Sequence, residues 1–312
     1  MNYKIRLAIV SLFIFITLLY IWIPSAKEVG YIFVTAWGTQ GKNPGQFRDP
    51  IGIAVSDSEV FVSDSRNARI QVFDYYGNFK RIFSLKLGRP MNLTIHNNEL
   101  YVADYWNDNI HVFNLDGKSL RKIGHAGTGK GKFNGISGVA VNEMGEIFAA
   151  DFYNQRIQHL RADGSFIKQW GTTKKKGMWA GEMNYPTDVA VTKDNILYVA
   201  DSYNDRIQVF SSESFIRKWG GPFALNISGY FNGWFATVTS VAIGPEGNIF
   251  TTDFYNNRVQ KFTANGVFLS TFGEQGDGAG QFDRAVAVAT APNGAVFVVD
   301  LGNNRIQKWQ PL

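Results

Sequence analysis

The chain contains no cysteine, so neither disulfides nor thiolate chemistry is available to it. Histidine is nearly as scarce, with four residues. His96, His111, His125 and His159 share no register that would bring three metal ligands together. No Ser-His-Asp or Cys-His grouping stands out, and apolar residues at helical spacing are missing beyond the first 25 positions. Charged residues make up only 18% of the chain. The net charge of +5, or +3 without Lys4 and Arg6, is too mild for a nucleic-acid surface. What is present is apolar and aromatic: 45% hydrophobic and 15% Phe, Trp and Tyr, enough for one large self-supporting core.

That material is repeated. Asp-x-x-Asn occurs six times, from Asp64, Asp104, Asp151, Asp201, Asp253 and Asp300, at intervals of 40, 47, 50, 52 and 47 residues. In five copies an arginine follows the asparagine by two positions; the second has Asn109 there. A near-fixed period of this size marks a repeat architecture. Within each unit four short β-branched and aromatic runs, here a to d, are separated by Gly, Asn, Asp and Pro clusters, the pattern of four antiparallel strands. Four-stranded units at this period are propeller blades. The expected fold is therefore all-β, a six-bladed β-propeller over residues 31–312.

The Gly-x-Phe entries (Gly45 to Phe47, Gly131 to Phe133, Gly280 to Phe282) and the Asp-x-x-Asn-x-Arg-Ile-Gln cores resemble the NHL repeat family over residues 31–312. The resemblance implies the propeller fold, but propellers host unrelated activities. Some NHL proteins bind RNA, a partner that the weak charge and an exported location argue against. Propeller enzymes similar in pattern include a zinc lyase and calcium-dependent lactonases. The resemblance therefore leaves open a metal-dependent lyase or lactonase-type site at the channel mouth.

The sixth unit ends after its strand c, whereas residues 32–38 read as a strand d with no unit of their own. The N-terminal strand is expected to complete the last blade, which removes an unpaired edge. Strand order then puts the b–c turns and the d–a connections on one face, the top, and both termini on the other.

Residues 1–30 are a different material. Lys4 and Arg6 precede residues 7–23, which carry no charge. At 1.5 Å per residue this run spans roughly 26 Å, adequate for a bilayer core, and the basic flank predicts an N-in orientation. Pro24 and Ile23 fall where small residues would be needed for cleavage, so an uncleaved signal anchor is favoured over secretion after cleavage. The tether over 25–30 is short, which implies a propeller whose bottom face lies near the membrane.

The Asp and Arg of each unit flank one tight turn, and their pairing across strands b and c explains the recurrence by fold alone. The asparagine between them suits a positive φ or a side-chain-closed turn. Inside the turns the residues vary. Trp106, Tyr153, Tyr203 and Tyr255 form an aromatic arc on blades 2 to 5 that stops at Arg66 and Gly302 of blades 1 and 6. Such rings suit a protein, peptide or carbohydrate partner. Arg156, Arg206 and Arg258, at the ends of the same turns, are candidates for the same surface. Two long d–a connections, 172–185 and 221–235, overhang this face, the first with Lys174, Lys175 and Lys176. The glycine-rich stretch from Gly124 to Gly131 lacks the Ser or Thr and the following helix of a phosphate loop. Asn92 and Asp188 occupy matching places on the inner strands and are the candidates for a channel site. Two such groups make a weak cation site, so neither a metal nor a cofactor is expected.

Overall fold

The computed structural model describes residues 3–22, 24–83 and 87–312, without the side chains of 14–22. Among these residues stand six four-stranded antiparallel sheets. Blade 1 is Pro50–Val55, Glu59–Asp64, Arg69–Asp74 and Phe79–Phe83; blade 2 is Pro90–His96, Glu99–Asp104, Asn109–Asn114 and Ser119–Ile123. Blade 3 runs Ile136–Val141, Ile147–Asp151, Arg156–Leu160 and Phe166–Gly171; blade 4 runs Pro186–Val191, Leu197–Asp201, Arg206–Phe210 and Phe215–Trp219. Blade 5 is Val238–Ile243, Ile249–Asp253, Arg258–Phe262 and Phe268–Phe272. Strand b shows why these segments are strands: Leu197–Asp201 is buried at all five positions, covered on both faces by neighbouring blades. Six apolar clusters, one between each pair of adjacent blades, make up the core.

Blade 6 joins the two ends of the chain. Its strands Ala285–Thr290, Val296–Asp300 and Arg305–Pro311 are completed by Tyr31–Trp37, which pairs with Arg305–Pro311, Tyr31 opposite Pro311 and Trp37 opposite Ile306. Trp37 then packs against Phe73 of blade 1 and Phe297 of blade 6. The chain passes into the first connection at Gly38, whose φ is +106° and where a Cβ would lie 2.5 Å from the Phe47 ring. Only glycine lets the entry phenylalanine seat under the end of the strand.

The repeated motif is a buried electrostatic staple. In five blades an arginine Nε meets the aspartate Oδ2 at 2.6 to 2.8 Å (Arg69, Arg156, Arg206, Arg258 and Arg305). Its Nη atoms donate to carbonyls of the preceding d–a connection, such as Gly129 and Lys132 for Arg156. The glutamine two residues on bridges the same aspartate and the same connection. The motif asparagine donates to its aspartate and to a connection glycine, as Asn204 does to Asp201 and Gly177. The left-handed conformation falls one residue later than the asparagine, at Ala68, Asp108, Gln155, Asp205, Asn257 and Asn304. Five of these residues accept the backbone N–H of the next connection: Asp108 from Gly135, Gln155 from Tyr185, Asp205 from Thr237, Asn257 from Arg284 and Asn304 from Asp49. Blade is thus tied to blade around the ring, except from blade 1 to blade 2, where Ala68 has no acceptor to offer.

Residues Tyr3–Trp22 form a helix, α1. Among the described residues no helix is long and apolar enough to cross a membrane; the expected span over 7–23 lies mostly outside the described side chains. The tether is not a free spacer. Lys27 N donates to Leu269 O at 2.7 Å and Glu28 pairs with Lys261 at 2.6 Å, fixing it across the outer edge of blade 5.

Replacing Arg206, which has no solvent exposure, by alanine strands the Asp201 carboxylate in the core. Denaturant unfolding of Arg206→Ala should show a loss of roughly 3–5 kcal/mol. Arg305→Ala, at a staple that reaches solvent, should lose clearly less; equal losses would contradict the staple's dependence on burial.

Candidate functional site

The top face is built by the b–c turns and the d–a connections. On it Trp106, Tyr153, Tyr203 and Tyr255 are 66%, 45%, 55% and 66% exposed. Tyr153, Tyr203 and Tyr255 sit at the middle of turns whose ends are clamped by the staple, so these rings project while the backbone stays fixed; Trp106 projects from the unstapled turn of blade 2. Two of them, Tyr153 and Tyr203, belong to a longer row. The Tyr105 hydroxyl lies 2.8 Å from that of Tyr153, and burial pushes the Tyr105 phenol well above the usual range. Tyr185 packs on Phe152 at 4.7 Å and on Tyr203 at 5.0 Å, with the Lys176 ammonium 4.1 Å above its ring. Tyr185 was not among the sequence candidates. It lies in a connection at φ +54°, with its N–H bonded to Gln155 and its ring packed between residues of blades 3 and 4.

The arginines are a correction. Arg156, Arg206 and Arg258 are buried, and their guanidinium donors are spent on aspartate and connection carbonyls. The spacing placed them beside the turns, but the burial of the carboxylates draws them inward, so they shape the face without presenting charge on it.

The inner strands carry a ring of equivalent positions: Gly52, Asn92, Gly138, Asp188, Ser240 and Ala287. Asn92 and Asp188 do meet, the amide hydrogen-bonding the carboxylate. Asp188 Oδ2 also accepts Ser240 Oγ at 2.8 Å and Val241 N at 3.1 Å, and Oδ1 accepts Val189 N at 2.9 Å. Gly138 must be small here, because a Cβ would stand 2.8 Å from Asp188 Oδ1. The donors around the carboxylate favour its negative charge, burial favours the protonated acid, and the oxygens already engaged by N–H and O–H groups are poorly placed to hold a cation. Among the described residues no group of three or more His, Cys, Asp or Glu could hold a metal. This ring divides the channel into a lower cavity of about 320 Å³ and an upper one of about 200 Å³. The upper cavity opens among Ile51, Arg89, Met91, Tyr105, Phe152 and Val286. Two histidines of the sequence are buried in strand c, His111 stacked on Phe113 and His159 on Phe148; burial lowers both pKa values, that of His111 to about 4.

Six radial blades with a ring of inner strands define a six-bladed β-propeller. Two family models match parts of it: one described as a 6-bladed beta-propeller, over residues 83–171, and the NHL repeat, over 47–73, 183–210 and 235–262. The chain carries NHL repeats within a six-bladed β-propeller. No curated protein matches it. Solved structures with the same fold include a structural genomics protein of unknown function from Bacteroides thetaiotaomicron VPI-5482, at 15% identity and a TM-score of 0.71 over 91% of this chain and 76% of that one. An auxiliary nutrient binding protein from Bacteroides ovatus ATCC 8483 aligns at 14% identity and 0.68, over 91% and 78%. A streptogramin B lyase aligns at 15% identity and 0.60, over 91% and 97%. At these identities the likeness is one of fold.

Burial pushes the Asp188 carboxyl up to about 7 from an ordinary 3.8. A folded-state pKa above the unfolded one means that the fold favours the protonated acid. Its stabilising contribution is therefore complete below pH 4 and lost as pH rises through 7, at most about 4 kcal/mol. Asp188→Asn cannot ionise. The melting temperature of wild type minus that of the variant should fall between pH 4 and 8, and a flat difference would show that Asp188 is ionised throughout.

Proposed function

We propose that this propeller is a binding module, exported and held at a membrane by residues 7–23, that recognises a protein, peptide or carbohydrate partner on its top face. The observation that carries the reading is the exposed aromatic arc. Four rings project from the b–c turns of four of the six blades, on the face where the upper cavity opens. A purely structural need for those rings would apply to all six blades. Rigid aromatic side chains give contact area at low entropic cost. The bacterial nutrient binding protein shows that a chain of this fold can serve a binding role. Export and anchoring are supported by the uncharged run behind Lys4 and Arg6, which divides the chain into an anchor and tether, 1–30, and a propeller, 31–312.

A metal-dependent lyase or lactonase is the alternative, but its channel residues, Asn92 and Asp188, are already satisfied by one another and by Ser240, Val241 and Val189.

The test is the triple variant Tyr153→Ala, Tyr203→Ala, Tyr255→Ala of the full chain, probed against glycan and peptide arrays. Wild type should give array hits that the variant loses by at least tenfold while its melting temperature stays within a few degrees. A variant that melts far lower would mark the rings as packing elements, and hits that survive it would remove the top face from recognition.

A further inference from the structure

The junction of blades 1 and 2 breaks the ring's pattern, and at the break one cation has no ion pair among the described residues. Elsewhere a long d–a connection is stapled by Arg and Gln of the following blade. Here Phe83 and Pro90 are only seven positions apart, and Asn109 and His111 stand where the staple would be. Arg89 closes this short connection, half-buried, at the boundary between the upper cavity and a neighbouring one of about 260 Å³ lined by Asp49, Arg66, Arg284 and Asn304. Arg66 pairs with Asp49 at 2.8 Å and Arg284 with Asp283 at 2.9 Å. Asp104, behind Arg89, takes the backbone N–H groups of Gly88 and Arg89 rather than the guanidinium. That guanidinium lies 5.8 Å from the Tyr105 ring centroid and 6.0 Å from that of Trp106, with no ion pair or hydrogen bond of its own among the described residues. A guanidinium against ring faces keeps N–H donors for a planar anion.

We propose that the mouth binds a carboxylate carried by a small apolar or aromatic body: the carboxylate on Arg89, the body in the cavity among Ile51, Met91, Phe152 and Val286. This deepens the top-face reading and rests on it. The test titrates phenylacetate, and its neutral twin phenylacetamide, against the detergent-solubilised full chain by ligand-observed NMR. Phenylacetate should bind at least tenfold more tightly than the amide, Arg89→Gln should abolish that preference, and Arg89→Lys should keep part of it. Equal binding of acid and amide, or a preference that survives Arg89→Gln, overturns the proposal. Failure of the wider reading looks different: array hits then survive the triple aromatic substitution whatever happens at Arg89.

A separate observation concerns the rim of blades 4 and 5. Pro24, two residues beyond α1, lines a cavity of about 350 Å³ together with Gly220, Phe223, Ala224, Gly233 and Trp234, and Asn232 donates to its carbonyl at 3.1 Å. The chain therefore leaves the propeller at the rim, not beneath the ring. The connections 172–185 and 221–235 flank this exit and are tied together by Arg206, which donates to Met178, Trp179 and Ala224 carbonyls. They expose Met178, Trp179, Phe223, Ile227 and Tyr230, beside the exposed Lys174, Lys175 and Lys176. Apolar rings with flanking lysines suit the interface of an anionic bilayer.

We infer that this rim rests on the membrane surface, setting the propeller edge-on, an inference that depends on the anchor reading. The chain's lack of cysteine permits single labelling sites. Full-length Phe223→Cys, Tyr230→Cys and, on blade 1, Tyr76→Cys would each carry an environment-sensitive dye in phosphatidylcholine–phosphatidylserine vesicles containing spin-labelled lipid. Labels at 223 and 230 should be quenched at least twofold more than that at 76. Equal quenching at all three sites in protein that floats with the vesicles overturns the inference; protein that does not float at all overturns the anchor as well.

Discussion

A buried carboxylate in every b–c turn is the constraint from which the rest of the architecture follows. An ionised aspartate with no solvent contact is tolerated only when opposite charge and hydrogen-bond donors surround it. At Asp201 these come from Arg206, Gln208, Asn204 and the N–H of Asn184. Three of these donors lie at fixed offsets within the blade, and the same Arg and Gln reach the carbonyls of the preceding connection. Satisfying one acid therefore closes a turn, joins strands b and c, and pins a loop to the blade. Desolvation still pushes Asp151, Asp201 and Asp253 upward, opposed by their arginines, so the staple holds structure in place without being a large net source of stability.

The staple also explains how sixfold repetition produces an asymmetric face. Once the turn's ends are clamped, the two residues after the aspartate are relieved of structural duty and free to differ. Blades 3 to 5 place rings at the second of them, and the unstapled blade 2 has Trp106 there. Blade 2, which follows the shortest connection, has Asn109 and His111 in place of Arg and Gln. The missing staple and Arg89 both belong to this shortened junction.

Much of the fold was legible in the sequence because blade geometry is local. Period, strand pattern and the missing last strand each occupy a few consecutive residues, and Tyr31–Trp37 falls on blade 6 as the count of strands requires. The equivalence of Asn92 and Asp188 was legible for the same reason, since register carries it. Direction was not. Spacing put Arg156, Arg206 and Arg258 beside the exposed turns and gave no sign that the carboxylates would draw them into the core. The departure at Asn109 was visible, but not its meeting with the short connection twenty residues earlier. Tyr185 enters the aromatic row only through contacts with blades 3 and 4. The tether's reach could be bounded from its length, whereas its docking on blade 5 depends on Glu28 finding Lys261 across more than two hundred residues.

The inner ring decides where a ligand can meet this molecule. Asp188 reaches Ser240 and Val241 of the next blade and Asn92 across the axis, so the position that most resembles a catalytic acid is also a clasp between blades. Opening it for a substrate would leave a buried carboxylate without donors, at a cost of several kcal/mol. The upper cavity has no such obligation. It is bounded by the apolar Ile51, Met91, Phe152 and Val286 and by Arg89, which has no ion pair among the described residues. Recognition at the mouth can proceed without disturbing the closure of the ring, which places the chemically free groups of this propeller on its top face rather than in its channel.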